Sequence, residues 1–173
     1  SEKEEVEREY RELLKEIEKR IDEVIKEYRD LLRDIRREVK RVLREYAELV
    51  KELKKTTGPV REEKKKLEDN DRKNKEEAKR LEDEHKENDE RNKRRKDTLK
   101  KEHDENEKRE RDEDRERDEA ARELRKKAED SKRELEKLEE ENRRIIKRSR
   151  ERLKKIEEDN RRIIKEVLDR ARK

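Results

Sequence analysis

The chain has 173 residues, of which 67% are charged and 23% hydrophobic, and its only aromatic residues are three tyrosines. So few apolar residues cannot build a globular core, and the composition by itself is typical of disordered chains. The 60 basic and 56 acidic residues are interleaved, so the net charge of +4 forms no basic patch and predicts no nucleic-acid partner. Cysteine is absent, and no apolar run approaches the roughly 20 residues that span a membrane. We expect a soluble protein without a targeting signal, whose compartment the sequence leaves unknown.

Residues 1–55 repeat a nine-residue phrase at a period of 18: EYRELLKEI, EYRDLLRDI and EYAELVKEL begin at residues 9, 27 and 45. Eighteen residues are five turns of an ideal α-helix, so each copy presents the same face and the apolar stripe runs straight, without a supercoil. The apolar residues fall within about 120° of the helical wheel, which is the width of one core-facing stripe. This pattern overrides the disordered composition and predicts one helix of about 54 residues.

The letters TTGP at 56–59 predict a turn, because glycine favours the position after a helix and proline the first position of the next one. No further glycine or proline follows, and the period of 18 continues, so we expect a single second helix of about 110 residues over 60–173. The expected fold is all-α: a helical hairpin of one long and one very long helix, which assembles into an untwisted, elongated bundle.

The second helix has two parts in this interpretation. Residues 60–113 fill the stripe mainly with asparagine and histidine, and residues 114–173 fill it with leucine and isoleucine. If the chain folds back at the turn, three tyrosines face three asparagines, and each pair would satisfy groups that cost about 1–3 kcal/mol when buried without a partner. The predicted polar layers are Tyr10 with Asn106, Tyr28 with Asn88, and Tyr46 with Asn70. The alternative is a solvated outer helix that carries these asparagines on its surface.

The stripe of residues 114–173 has no partner within a two-helix hairpin, so the sequence predicts that another chain covers it. The simplest partner is a second copy of this chain, and a different designed chain is the alternative. Two asparagines in the stripe would fix helix register and oligomer number, unless they lie just off the seam. The predicted interface comprises Leu135, Leu138, Asn142, Ile145, Ile146, Leu153, Ile156, Asn160, Ile163, Ile164 and Val167.

The regular repeat, the absence of Cys, Met, Phe and Trp, the Glu/Lys/Arg surface and the single TTGP turn resemble de novo designed, parametrically generated helical bundles. Straight bundles with 18-residue repeats and polar hydrogen-bonded layers are a recognised style of that class. The resemblance covers the whole chain and implies an all-helical structural scaffold. The polar half at 60–113 departs from that style.

The two histidines, His85 and His103, lie one repeat apart, which is about 27 Å along a helix, so they cannot share a metal within the chain. They are candidate pH-sensitive positions if they are buried. No serine or threonine is expected to meet a histidine and an acid as a nucleophile would require, and no glycine-rich loop or apolar pocket is expected. We therefore predict no enzyme, no cofactor and no small-molecule ligand.

The predicted function is that of a rigid, rod-like structural module that self-associates. The alternative is a component of a larger designed assembly that binds a different chain through 114–173. A charged helical spacer is a third class, which the run KRERDEDRERDE at 108–119 resembles.

Overall fold

The computed structural model describes residues 2–112 and 117–173, which form three α-helices and no strand. Helix α1 spans Glu2–Thr56, α2 spans Arg61–Asp112 and α3 spans Arg117–Arg172. The predicted all-α class is therefore confirmed. The predicted single helix over 60–173 is wrong, since this stretch forms two helices. The predicted boundary between residues 113 and 114 lies outside the described residues.

The correction has a clear energetic reason. The described stripe of α3, which was expected to meet another chain, is buried against α1 and α2 of the same chain. Each leucine or isoleucine that leaves water contributes about 1.5–3 kcal/mol, so the packing of α3 outweighs the few backbone hydrogen bonds that a continuous helix would add. Neither glycine nor proline marks the end of α2. The sequence therefore carried no local signal for this break.

The turn between α1 and α2 follows the sequence closely. The Thr57 amide and hydroxyl both donate to the Leu53 carbonyl, at 3.0 and 2.6 Å, and Gly58 adopts the left-handed conformation with φ 51°. Only glycine enters this region without steric cost, which is why it stands at the end of α1. The Val60 amide then donates to Oε1 of Glu63 at 3.0 Å and so satisfies one of the free N–H groups at the start of α2.

The chain divides into two compact units, and each contains one segment of every helix. Unit 1 comprises Ser1–Arg29 with Glu87–Arg144. Ion pairs Arg29–Asp89 at 2.9 Å and Lys96–Asp22 at 2.6 Å show that α1 and α2 run antiparallel in it. Among its described residues, buried apolar side chains form a cluster of Ile17, Ile21, Val24, Ile25, Leu99, Leu135 and Leu138, and another of Leu14, Leu124 and Ala128, against which Tyr10 packs.

Unit 2 comprises Asp30–Lys86 with Ile145–Lys173. Here Arg36 forms a bidentate pair with Glu82, with contacts of 2.8 and 2.6 Å, so α1 and α2 are again antiparallel. The Arg170 guanidinium at the end of α3 contacts the Glu63 carboxylate at 2.7 Å, which places α3 antiparallel to α2. Near the turn, Leu53, Leu67 and Val167 form a buried cluster against half-buried Val50, Ile163, Ile164 and Leu168.

Candidate functional site

The most distinctive site in this chain is the row of polar side chains along the inward face of α2. Buried positions on α2 recur three, four or seven residues apart, which are the spacings of one helix face, and most of them are polar. Because α1 and α3 cover this face, these side chains must find partners inside the bundle. The buried polar residues of α2 are Asn70, Asn74, His85, Asn88, Asn92 and His103. The alternative prediction, a solvated helix with surface asparagines, is wrong for this face.

One asparagine layer lies in unit 2. The side-chain amides of Asn70 and Asn74 both donate to Oδ1 of Asn160, each at 2.8 Å. Asn160 was predicted to face another chain, and the structure instead places it opposite α2 of its own chain. A single carbonyl oxygen with two lone pairs accepts both bonds, so one residue of α3 satisfies two residues of α2.

Unit 1 contains an equivalent layer. Asn88 and Asn92 donate their side-chain amides to Oδ1 of Asn142, both at 2.9 Å. Three buried atoms of this layer have no hydrogen-bond partner among the described residues: Oδ1 of Asn88, Oδ1 of Asn92 and Nδ2 of Asn142. The three asparagines of the layer in unit 2, all within the described ranges, have no such atoms. Buried orphan groups cost free energy, so we expect the layer of unit 1 to be less stable than the layer of unit 2, although both consist of three asparagines.

The tyrosines of α1 occupy three different environments. The hydroxyl of buried Tyr46 donates to the Leu67 carbonyl at 2.7 Å, and the Asn70 side chain hydrogen-bonds to the same hydroxyl. Burial raises the pKa of Tyr46, and the bond from Asn70 opposes this rise. Tyr28 and Asn88 are both buried in unit 1, whereas Tyr10 is partly buried. The side chain of Asn106, the predicted partner of Tyr10, lies outside the described part of the chain.

His85 forms a polar pair that the sequence analysis missed. Its Nε2 lies 2.8 Å from the hydroxyl of Ser149, and both side chains are almost completely buried. Burial lowers the pKa of His85, and the positive charge of Arg36 lowers it further, whereas Glu84 and Glu82 act in the opposite direction. The neutral imidazole is therefore the favoured form in the folded state.

His103 occupies the same slot one repeat later, in a different charge environment. Its Nδ1 lies 2.6 Å from Oε1 of Glu18, and its Nε2 lies 3.1 Å from the hydroxyl of Ser131. An ionised carboxylate only accepts hydrogen bonds, so Nδ1 donates to Glu18, and a neutral ring then accepts from Ser131 through Nε2. Glu18 and Arg36 also lie one repeat apart and occupy the same slot of α1. The α1 residue at this slot is therefore an acid beside His103 and Arg36 near His85, where Glu84 and Glu82 also act.

The three residues Ser131, His103 and Glu18 have the connectivity of a hydrolase triad, which the sequence analysis did not expect. Two features argue against nucleophilic catalysis. Ser131 is only 6% exposed, and it lies in the interior of α3, where backbone amides donate to helix carbonyls and cannot stabilise an oxyanion. The arrangement therefore acts as a structural hydrogen-bond chain across three helices. A sequence signal existed, because Ser131 and Ser149 lie one repeat apart, as the histidines do.

The predicted interface residues all lie in the intrachain packing. Ile163 and Ile164 are half-buried, and the remaining nine are buried. The physical reason is that the same stripe that was expected to attract a second chain packs first against α1 and α2 in its own chain.

No group of three or more metal-ligating side chains comes together in residues 2–112 and 117–173. Within the same ranges, no helix is long and apolar enough to cross a membrane. No protein-family model, curated protein or solved structure matches this chain.

Proposed function

We propose that this chain is a structural module of the designed helical-bundle type, whose buried polar layers fix the register of its helices, and that it has no catalytic activity. The observation that carries the proposal is the pair of asparagine layers, in which one residue of α3 accepts from two residues of α2. The same spacing recurs at the histidine–serine pairs. Such groups cost stability in a core and are used to exclude alternative alignments.

The alternative alignments are those in which α3 slides along the helix axis. The sequence repeat presents the same apolar face after five helical turns, so apolar packing alone would tolerate a shift of α3 by one repeat. Such a shift would still match Asn160 to the Asn88 layer and Ser149 to His103, but it would leave Asn70, Asn74 and Ser131 without partners. Smaller shifts would place asparagine against leucine. The polar layers therefore select one alignment.

The test replaces the layer of unit 2 with leucine at Asn70, Asn74 and Asn160 and measures the distance between α2 and α3. The chain lacks cysteine, so spin labels at Lys73→Cys and Arg161→Cys report one distance only. We expect one narrow distance in the parent and a broad or multiple distribution in the layer variant. A single unchanged distance in the variant would show that apolar packing alone sets the register.

Binding of a different chain through 114–173 is the second candidate function. It requires α3 to leave the bundle, because its described apolar residues are covered by α1 and α2. A partner would then have to supply an equivalent apolar stripe and equivalent amides opposite Asn142 and Asn160.

A further inference from the structure

Two leucines of α1 in unit 2 remain outside the core. Leu31 is 38% exposed and Leu49 is 48% exposed, although both belong to the same apolar stripe as buried Leu32 and Tyr46. They lie one repeat apart and occupy the edge of the stripe that faces α3. Scattered exposed leucines are normal on protein surfaces. These two recur at the period of the fold, which singles out this edge.

A groove lies between α1 and α3 at this edge. It has a volume of about 430 Å³, and its apolar lining includes Val42, Leu49, Ile164 and Leu168. Tyr46 and Asn160 also line it, so the groove extends down to the polar layer of unit 2. An apolar floor of this kind is the usual receptor for an amphipathic helix.

The two sides of the groove carry opposite charges. The exposed residues of α1 beside the leucines in unit 2 are mainly acidic: Asp30, Asp34, Glu38, Glu45, Glu48 and Glu52. The exposed residues of α3 on the other side are mainly basic: Lys147, Arg150, Lys154, Arg161, Lys165 and Arg172.

Three residues that line the groove depart from this charge pattern: Arg41 on α1, and Glu157 and Asp169 on α3. Arg41 is paired on its own helix with Glu45 at 3.7 Å, and Glu157 is paired with Arg161 at 3.4 Å. The α3 side keeps its basic character because the six basic residues outnumber these two acids.

The ion pairs described in unit 2 connect α1 to α2 and α2 to α3, but not α1 to α3. Arg36–Glu82 and Lys54–Glu68 connect α1 to α2, and Arg148–Glu84 and Arg170–Glu63 connect α2 to α3. Among the described residues of the unit, no ion pair or hydrogen bond connects α1 to α3. The acidic and basic sides of the groove therefore keep charge available for another molecule.

We propose that this groove binds a second copy of the chain, related by a twofold axis parallel to the helices. This proposal rests on the proposed function as a structural module and names its partner. When two grooves face each other about such an axis, α1 of each copy lies opposite α3 of the other. Acidic residues then meet basic residues along both seams, and the leucines of the two copies meet in the middle. A twofold axis across the helices would instead place α1 on α1 and repel.

The size of the surface agrees with a specific dimer. The α1 segment of unit 2 is about 40 Å long at 1.5 Å per residue, and two helices side by side are about 20 Å wide. A strip of this size covers about 800 Å² on each copy, which is the usual area for a stable protein interface.

The test measures mass against concentration by sedimentation equilibrium, and circular dichroism checks that each variant stays helical. We expect the parent to reach twice the chain mass of 21.7 kDa. Reversing three acidic residues beside the groove (Glu45→Lys, Glu48→Lys, Glu52→Lys) makes both of its sides basic there, and reversing three basic residues (Arg161→Glu, Lys165→Glu, Arg172→Glu) makes both sides acidic there. We expect each variant to dimerise at least tenfold more weakly than the parent.

Mixing the two variants tests directly whether charge pairing between copies holds the dimer together. One copy with two basic sides and one copy with two acidic sides attract each other along both seams. We expect the mixture to form a heterodimer as tight as the parent dimer. The matched control, Lys40→Glu, Arg44→Glu and Lys51→Glu, reverses three charges on α1 away from the groove and should not change the mass. Spin labels at Thr56→Cys should lie close together across the dimer, since the parallel axis places like ends side by side.

Several results would overturn the dimer. A helical parent that stays monomeric at 0.1 mM would show that the charges act only within the chain, and would leave the structural module intact. Charge-reversed variants that dimerise as tightly as the parent would place the interface elsewhere. Labels separated by the length of the helix segment would exclude the parallel axis. Failure of the structural module is measured separately: the distance between the labels on α2 and α3 would then be the same in the parent and in the variant with leucine at Asn70, Asn74 and Asn160.

Discussion

At the scale of single residues, the hydroxyl of Tyr46 makes a buried polar contact between α1 and α2, with one partner as acceptor and one as donor. It donates to the Leu67 carbonyl at 2.7 Å and is bonded by the Asn70 side chain. Tyr46→Phe removes the oxygen with little change in shape and leaves one amide hydrogen of Asn70 without its acceptor. We expect the free energy of unfolding to fall by about 1–2 kcal/mol, measured by urea denaturation.

The matching control for this substitution is Tyr46→Leu, which removes the oxygen and the ring together. It should cost more than Tyr46→Phe, because it also leaves a cavity. Equal stability of the parent and Tyr46→Phe would contradict a bonded hydroxyl and would indicate that Asn70 finds another acceptor.

A second residue-scale prediction concerns His85, whose pKa is lowered by burial and by Arg36. The folded pKa lies below the unfolded value of about 6.5, so neutral burial contributes stability above that value. The contribution is lost as pH falls below about 6.5 towards the folded pKa, because the unfolded chain takes up the proton first. We expect the parent to lose more stability than His85→Gln between pH 7.5 and pH 5 in thermal melts.

The comparison with His85→Gln separates the histidine from the many carboxylates, whose titration is common to both proteins. Glu84 and Glu82 oppose the lowering of the pKa of His85, and both proteins retain these two residues. If both proteins lose equal stability on acidification, the carboxylates and not His85 determine the acid response.

At the scale of helices, the two asparagine layers give a paired prediction. The layer of Asn88, Asn92 and Asn142 contains three orphan atoms, and the described layer of unit 2 contains none. Replacing one whole layer with leucine removes all of its buried polar groups and keeps the branched shape of each side chain, and the added bulk of the methyl groups is the same in both layers. We expect the replacement in unit 1 to raise the unfolding free energy by several kcal/mol more than the replacement in unit 2.

Replacing only one member of a layer should have the opposite sign. Asn142→Leu leaves the amides of Asn88 and Asn92 without their acceptor, so we expect a loss of about 2 kcal/mol or more. Denaturation with guanidinium measures all three variants on one scale. Equal gains from the two whole-layer replacements would show that the orphan atoms of unit 1 carry no cost.

Much of the arrangement of α1 and α2 could be predicted from the sequence. The period of 18 placed the stripe, Gly58 and Pro59 placed the turn, and antiparallel folding brought Tyr46 to Asn70. The partners of His85 and His103 could be predicted only if the position of α3 was known. That position depends on the end of α2, which no glycine or proline marks. Local signals predicted the helices, while burial of the α3 stripe, a nonlocal effect, determined where the second helix ends.

The end of α2 at Asp112 also explains why the partners of Asn142 and Asn160 were not predicted within this chain. Asn142 and Asn160 were correctly singled out as polar residues in an apolar stripe, but their partners were sought in another chain. The two serines at the histidine period were the signal for an intrachain partner, because only an antiparallel α3 brings Ser149 to His85 and Ser131 to His103.

At the scale of the whole molecule, the burial of the α3 stripe leads to the last prediction. Leu153 and Ile156 of α3 are 4% and 5% exposed, and Val167 packs with Leu53 and Leu67 near the turn. Leu153→Asn with Ile156→Asn places two polar groups in this core without partners. We expect α3 to detach, the helical signal to fall and α3 to become the first site of cleavage by trypsin.

The matched control is Lys154→Asn with Lys155→Asn, at the neighbouring exposed positions of the same helix, which changes propensity but no core contact. It should keep the helical signal and the protection of α3, apart from the loss of two lysine cleavage sites. The experiment is run at a chain concentration at which sedimentation shows only the monomer. If the core variant retains full helicity and protease resistance there, the stripe of α3 is not buried within its own chain, and an interchain partner for it would again be the better explanation.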